Sequence, residues 1–320
     1  MLNKRGLGEE FNWIFIIVAG AIILGFFVMF SFRYLTLEEH KQDLNSIQDF
    51  GQVLNTLEKL PIGDKGASID SNNPDEGLRF GYKLNLNYRC LDDKAVVSIN
   101  DGKFSNYELK DEILFMEDNK QIDALDMWLL PWRFPYHVTN IIYLAETGKK
   151  YYLVYDSNTK DYADSLEISE AFNIEKIGIE KFKSDGESKF VFFTIKEPDI
   201  KGIDAVYVNV KDKELSFYNI EKEEWGEPVK YYSEELMFGA FFADNSDDYK
   251  CNLNKALNKL KDGGSLIIER VNVLNQVNRN SKCEYKAIAD NLRSFVNGNY
   301  ELKEKIGEQN KAGSGCLWVF

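Results

Sequence analysis

WIFIIVAGAIILGFFVMFSF, residues 13–32, decides how the rest of the chain is read. It has no charged residue, and Ser31 is its only polar side chain. As a helix it reaches about 30 Å, the hydrocarbon thickness of a bilayer. A helix buried in a soluble core rarely carries apolar residues all the way round. A cleaved secretory signal has a shorter apolar run and a small-residue cleavage site. Here the run ends in bulky Met29, Phe30, Phe32 and Tyr34. The reading is an uncleaved transmembrane anchor, with Trp13, Phe15, Ile17, Gly20, Ile23, Gly25, Phe27, Phe30 and Phe32 in the bilayer. Gly20 and Gly25 permit close approach of a neighbouring helix, although their spacing is not GxxxG.

Outward from the anchor, residues 1–12 form a short basic-led stub. After it, Leu37, Leu44, Ile47, Phe50, Leu54, Leu57 and Leu60 fall at helical spacing. Residues 33–60 are therefore expected to extend the membrane helix as an amphipathic stalk, stopped by Pro61 and Gly63. Its apolar stripe must cover the protein's own head or a neighbouring subunit. Residues 61–77, rich in Gly, Pro, Asn and Asp, are expected to be a linker.

Residues 78–250 read as a mixed-sheet α+β head. Strand signals fall at 78–90, 95–99, 111–116, 151–156, 174–182, 189–195, 204–210 and 213–219. A short helix is expected over 164–172, and a hairpin turn at Lys211–Lys213. The segment WLLPWRFPYHVTNIIYL (128–144) concentrates Trp128, Trp132, Phe134 and Tyr136 around two prolines. Those four are the candidate contact surface; the competing reading is aromatics covering one end of a sheet.

Residues 251–320 read as a helical subdomain. Leu253, Leu257, Leu260, Ile267, Val271 and Leu274 keep one helical phase across Gly263–Gly264, which favours one long helix. Two interior glycines cost it about 2 kcal/mol. Helices over 283–295 and from Tyr300 to near Gly313 would follow as an antiparallel hairpin. That hairpin brings Cys283 to Cys316 and leaves Cys90 for Cys251. If the chain instead folds back at Gly263–Gly264, Cys251 meets Cys283. Four cysteines in an even set suit an oxidising, extracytoplasmic compartment. This places the N-terminus in the cytoplasm and the head outside. Positive charges on the two sides of the anchor are nearly balanced and decide little.

The net charge of −13 lies entirely beyond residue 32 and disfavours nucleic-acid binding. With two histidines and no CxxC, zinc is not expected. No phosphate loop, nucleophile elbow or Asn-x-Ser/Thr sequon is present. His137, the pair Asp123 and Asp126, and Asp244, Asp247 and Asp248 are weak candidates for hydrolytic or calcium chemistry. No cofactor and no catalytic residue is assigned.

KRGLGEEFNWIFIIVAGAIILGFF resembles the class III signal of archaeal type IV pilins and related surface proteins. The resemblance covers about 35 residues. It implies processing after Gly6, with Leu7 as the new first residue, and a retained helix that anchors or packs in a filament. Pilins carry an acidic residue five places into the mature chain; Glu9 and Glu10 stand at places three and four. The resulting expectation is a single-pass archaeal envelope protein with a structural or assembly role. Its partners would be the lipid bilayer and identical or related subunits. The alternatives are an extracytoplasmic binding or sensory module and an extracytoplasmic hydrolase.

Overall fold

The computed structural model describes residues 22, 24, 25, 27–29, 41–63, 66–69, 78–91, 94–100, 105–184, 186–194, 200–277, 283–311 and 316–320. Among them the chain is α+β, with two mixed sheets and a set of helices. No helix among the described residues is long and apolar enough to cross a membrane. Most of the expected span, including Trp13, Phe15, Ile17, Gly20, Ile23, Phe30 and Phe32, lies outside the described residues, as do Gly6 and Leu7.

Helix α1 covers residues 41–58. Ile47, Phe50 and Leu54 are buried along one stripe with Asp43 and Gly51, the i, i+4, i+7 spacing of a single face. The stripe covers the protein's own head. It lies on the first sheet, ordered β4 (Asn106–Leu109), β3 (Lys94–Ile99), β2 (Leu78–Leu91), β6 (Asn119–Arg133), β7 (His137–Glu146) and β5 (Ile113–Phe115). The strands from β4 through β7 pair antiparallel; β5 joins β7 in parallel. The expected linker is corrected in part: Ala67–Ile69 forms strand β1, pairing with residues 127–129 of β6. Its three-residue length is too short for a periodic signal.

Strand alternation sends side chains to two cores. Leu125, Met127, Leu129, Ile142 and Leu144 meet α1. Trp128, Leu130, Trp132, Ile141 and Tyr143 point the other way, into the central core. That core is closed by the second sheet, ordered β9 (Asn173–Gly178), β8 (Lys150–Tyr155), β10 (Lys189–Phe192), β11 (Asp204–Asn209), β12 (Glu214–Asn219) and β13 (Glu224–Trp225). Strands β9, β8, β10 and β11 are parallel, and β12 runs antiparallel to β11. The short β14 (Val229–Lys230) also pairs with β12.

The expected strand over 174–182 ends at Gly178 and becomes a 3-10 turn, Ile179–Lys181. The expected helix over 164–172 lies earlier, as α2 (Lys160–Ser165), because the Asp156–Thr159 turn starts it. Helix α3 (Glu234–Phe242) had no periodic signal. It is buried on nearly all sides, Leu236 through Phe242 without exception. Helix α4 (Ser246–Val277) runs unbroken through Gly263–Gly264, followed by α5 (Tyr285–Val296) and α6 (Lys303–Lys311). These C-terminal helices share the central core with both sheets.

Candidate functional site

The aromatic-proline segment is corrected from a contact surface to a core element. Trp128, Trp132, Phe134 and Tyr136 are at most 4% exposed. Trp128 packs on Tyr143 and Phe238, and Phe134 on Trp132 and Phe295. Their polar atoms are used internally: Trp132 Nε1 donates to Ser233 Oγ at 3.1 Å, and the Tyr136 hydroxyl donates to the Leu260 carbonyl. Alternation revealed two faces on this strand but not the helical layer covering the second.

Of the residues expected to lie in the membrane, Gly25 and Phe27 fall among those described. Both are helical. Phe27 is 67% exposed, with Ile22, Leu24, Val28 and Met29 similarly bare. Twelve residues further on, α1 is sewn to the sheet by polar contacts as well as by its stripe. Tyr82 donates to Asp43 Oδ1 at 2.6 Å, and Asn100 Nδ2 reaches both Asp43 oxygens at 3.0 Å. Burial, followed by the hydrogen bond to Asp43, pushes the Tyr82 hydroxyl up to about 12. At the other end Asn140 Nδ2 faces the carbonyls of Leu57, Glu58 and Leu60. Glu58 also pairs with Lys259 of α4 and accepts from Thr139.

Two disulfides are present, Cys90–Cys251 and Cys283–Cys316. The first joins β2 to the start of α4 across 161 residues. Around it, Cys90 N donates to Asp248 Oδ1 at 2.7 Å and Asn252 Nδ2 donates to the Tyr88 hydroxyl at 2.6 Å. Such bonds form in oxidising compartments and each stabilises by about 2–4 kcal/mol.

The weaker chemical candidates disperse. His137 is mostly exposed; the partial burial of its ring, followed by nearby Arg133, lowers its pKa. Asp126 is buried and accepts from Thr147, while Asp123 is exposed. Asp247 and Asp248 open α4, their amides capped by Asn245 Oδ1. Among the described residues no group of three or more His, Cys, Asp or Glu side chains is arranged to hold a metal ion.

Two polar features were not signalled by sequence. At the carboxyl end of β8, Asp156 collects hydrogen bonds from Asn158 N at 2.8 Å, Thr159 N at 3.1 Å and Thr194 Oγ1 at 2.9 Å. Burial works against this carboxylate, yet those bonds outweigh it and lower its pKa. At the amino ends of β10 and β11, Lys189 is fully buried. It donates to Glu117 Oε1 at 2.8 Å and to Ala243 O at 2.5 Å, with Asp204 Oδ2 at 3.7 Å. Lys149 pairs with the second oxygen of Glu117. Burial opposes the Glu117 charge, but Lys189 and Lys149 outweigh it and hold the carboxyl below its ordinary range. Burial dominates at Asp204 and pushes it up to about 6. A lone lysine within a strand run carries no sequence signal of its burial; only pairing with a distant acid reveals it.

Comparison with protein-family models, curated proteins and solved structures finds no match to this chain.

Proposed function

We propose that this chain is a membrane-anchored envelope protein with a structural or assembly role, its head held outside the cell. The observation that carries this reading is the contrast between two helical segments of unlike surface. Ile22, Leu24, Phe27, Val28 and Met29 stand bare, and the helix at 41–58 is locked into the head by a buried stripe, by the bonds that Asp43 accepts from Tyr82 and Asn100, and by Asn140 at its C-terminal end. A stalk fastened this way transmits load from anchor to head without a flexible joint in α1. The two disulfides support an oxidising location. In the pilin-like version, residues 13–32 pack against identical helices; in the anchor version they stay in lipid.

The test is fractionation of native cells, with N-terminal sequencing of the recovered protein. The reading expects the chain in the carbonate-resistant membrane or in sheared filaments, with the head cleaved by protease added outside intact cells. A start at Leu7 favours pilin-type processing, and an intact Met1 favours a plain anchor. Recovery in the soluble fraction, or a head protected from external protease, overturns the proposal.

A further inference from the structure

Lys189 and Asp204 face each other on adjacent parallel strands, paired in register as β10 meets β11. Both side chains point toward the central core, in step with Val191 on one strand and Val206 on the other. An ammonium with no exposed surface is costly unless closely compensated. Here a nucleophile, an acyl group and a second carboxylate in contact with the ammonium converge: Lys189 Nζ lies 3.7 Å from Asp204 Oδ2 and 2.8 Å from Glu117 Oε1. The Asp204 side chain keeps 35% exposure, so a small leaving group has a route to solvent.

We propose that Lys189 and Asp204 condense into an intramolecular isopeptide bond, with Glu117 carrying the proton. The ammonium passes one proton to Glu117, and the freed amine attacks Asp204 Cγ. Glu117 returns that proton to the departing oxygen, and a second proton follows from nitrogen. The new bond is N–C; the broken bond is C–O; the oxygen leaves as water. Ammonium and carboxylate become amide and water, Glu117 ends as it began, and no oxidant or co-reactant is needed. Burial works against the Lys189 charge, but Asp204 and Glu117 outweigh it and hold the ammonium above its ordinary range. The amine is therefore released only by a base in contact with it, the place Glu117 occupies. Condensation removes the fully buried ammonium together with the half-buried carboxylate beside it, and leaves Glu117 paired with Lys149. The proposal does not depend on the anchored-envelope reading.

The test is the intact mass of the full chain, purified in detergent and denatured without reduction. The expected mass is lower than the sequence requires by one water, beyond the hydrogens lost to the two disulfides. Digestion after reduction should yield a branched peptide joining the segments around Lys189 and Asp204. Succinimide formation at Asp262–Gly263 also loses water but gives no branch. Lys189→Arg keeps the buried cation and should abolish both the deficit and the branch. Glu117→Gln should leave most chains unlinked, while Asp204→Asn should form the same amide by releasing ammonia. An unlinked wild-type chain, a water deficit without the branch, or a deficit that persists in Lys189→Arg overturns the proposal. Should Glu117→Gln fail to fold, the wild-type branch and the Asp204→Asn product decide it.

Discussion

Asn140 holds the end of α1 with a single amide. Its nitrogen lies 3.2, 2.9 and 2.8 Å from the carbonyls of Leu57, Glu58 and Leu60, at the end of the helix where carbonyls run short of donors; Leu57 O also accepts from Leu60 N at 3.2 Å. Asn140→Leu should lower stability by about 1–3 kcal/mol, because those carbonyls lose their donor in a buried place. Asn140→Asp should cost more, since it turns a donor into an acceptor facing acceptors. Urea denaturation of the purified protein measures both; an Asp variant as stable as wild type would show that the amide is not the cap. Asp156 makes a pH-dependent contribution. Its folded pKa is lowered from 3.8, so its contribution is present above that value and lost as pH falls through the folded one. Asp156→Ala should cost about 1 kcal/mol at neutral pH. The difference in melting temperature should shrink toward zero in acid, and a gap independent of pH would count against the charge. Neither residue was legible beforehand. Asn140 sits in a run of strand formers, and its partners come from 80 residues earlier in the chain. The cysteines carried more information, because the phase of α4 constrained which of them could meet.

At the scale of elements, α4 shows how a local rule misjudges a residue. Gly263 and Gly264 read as a cost to the helix, since interior glycine is worse than alanine by about 1 kcal/mol. Against its neighbours Gly264 is a clearance: an added Cβ would meet Val296 Cγ1 at 2.3 Å and the Tyr136 hydroxyl at 2.7 Å. Gly263 is looser, with Tyr136 Cε2 at 3.2 Å. Gly264→Ala should therefore destabilise by about 1–3 kcal/mol through overpacking, despite its helix propensity. Gly263→Ala should be close to neutral. Thermal denaturation of the two variants checks the contrast, and equal effects would mean that α4 and α5 repack freely. Helical phase recovered α4 because one side of it meets solvent. Helix α3 escaped because Leu236 through Phe242 are buried together, which removes the polar half of the pattern. The strands of the first sheet were readable for the opposite reason: 78–90 alternates cleanly, whereas β6 is buried on both faces and reads as an aromatic run.

At the scale of the whole molecule, α1 is a structural part of the head. Ile47, Phe50 and Leu54 fill one side of the first sheet, opposite Leu84, Leu86, Val97, Leu129 and Ile142. Gly51 lets the ring of Tyr107 lie against the helix, where an added Cβ would stand 2.4 Å away. Burying one such aliphatic or aromatic side chain is worth about 1.5–3 kcal/mol. Losing three together approaches the whole stability of a typical domain, about 5–15 kcal/mol. A chain beginning at Lys41 should therefore fold as a head without detergent, keeping both disulfides and a single cooperative transition. A chain beginning at Pro61 should be poorly folded, because it bares the sheet face and leaves Asn140, Tyr82 and Asn100 without their helix partners. Near-UV circular dichroism and hydrogen exchange across β2, β6 and β7 distinguish the outcomes. Native-like protection in the Pro61 chain would mean that α1 merely rests on the head. Loss of protection confined to the face under α1, with the central core intact, would locate the cooperative boundary within the first sheet.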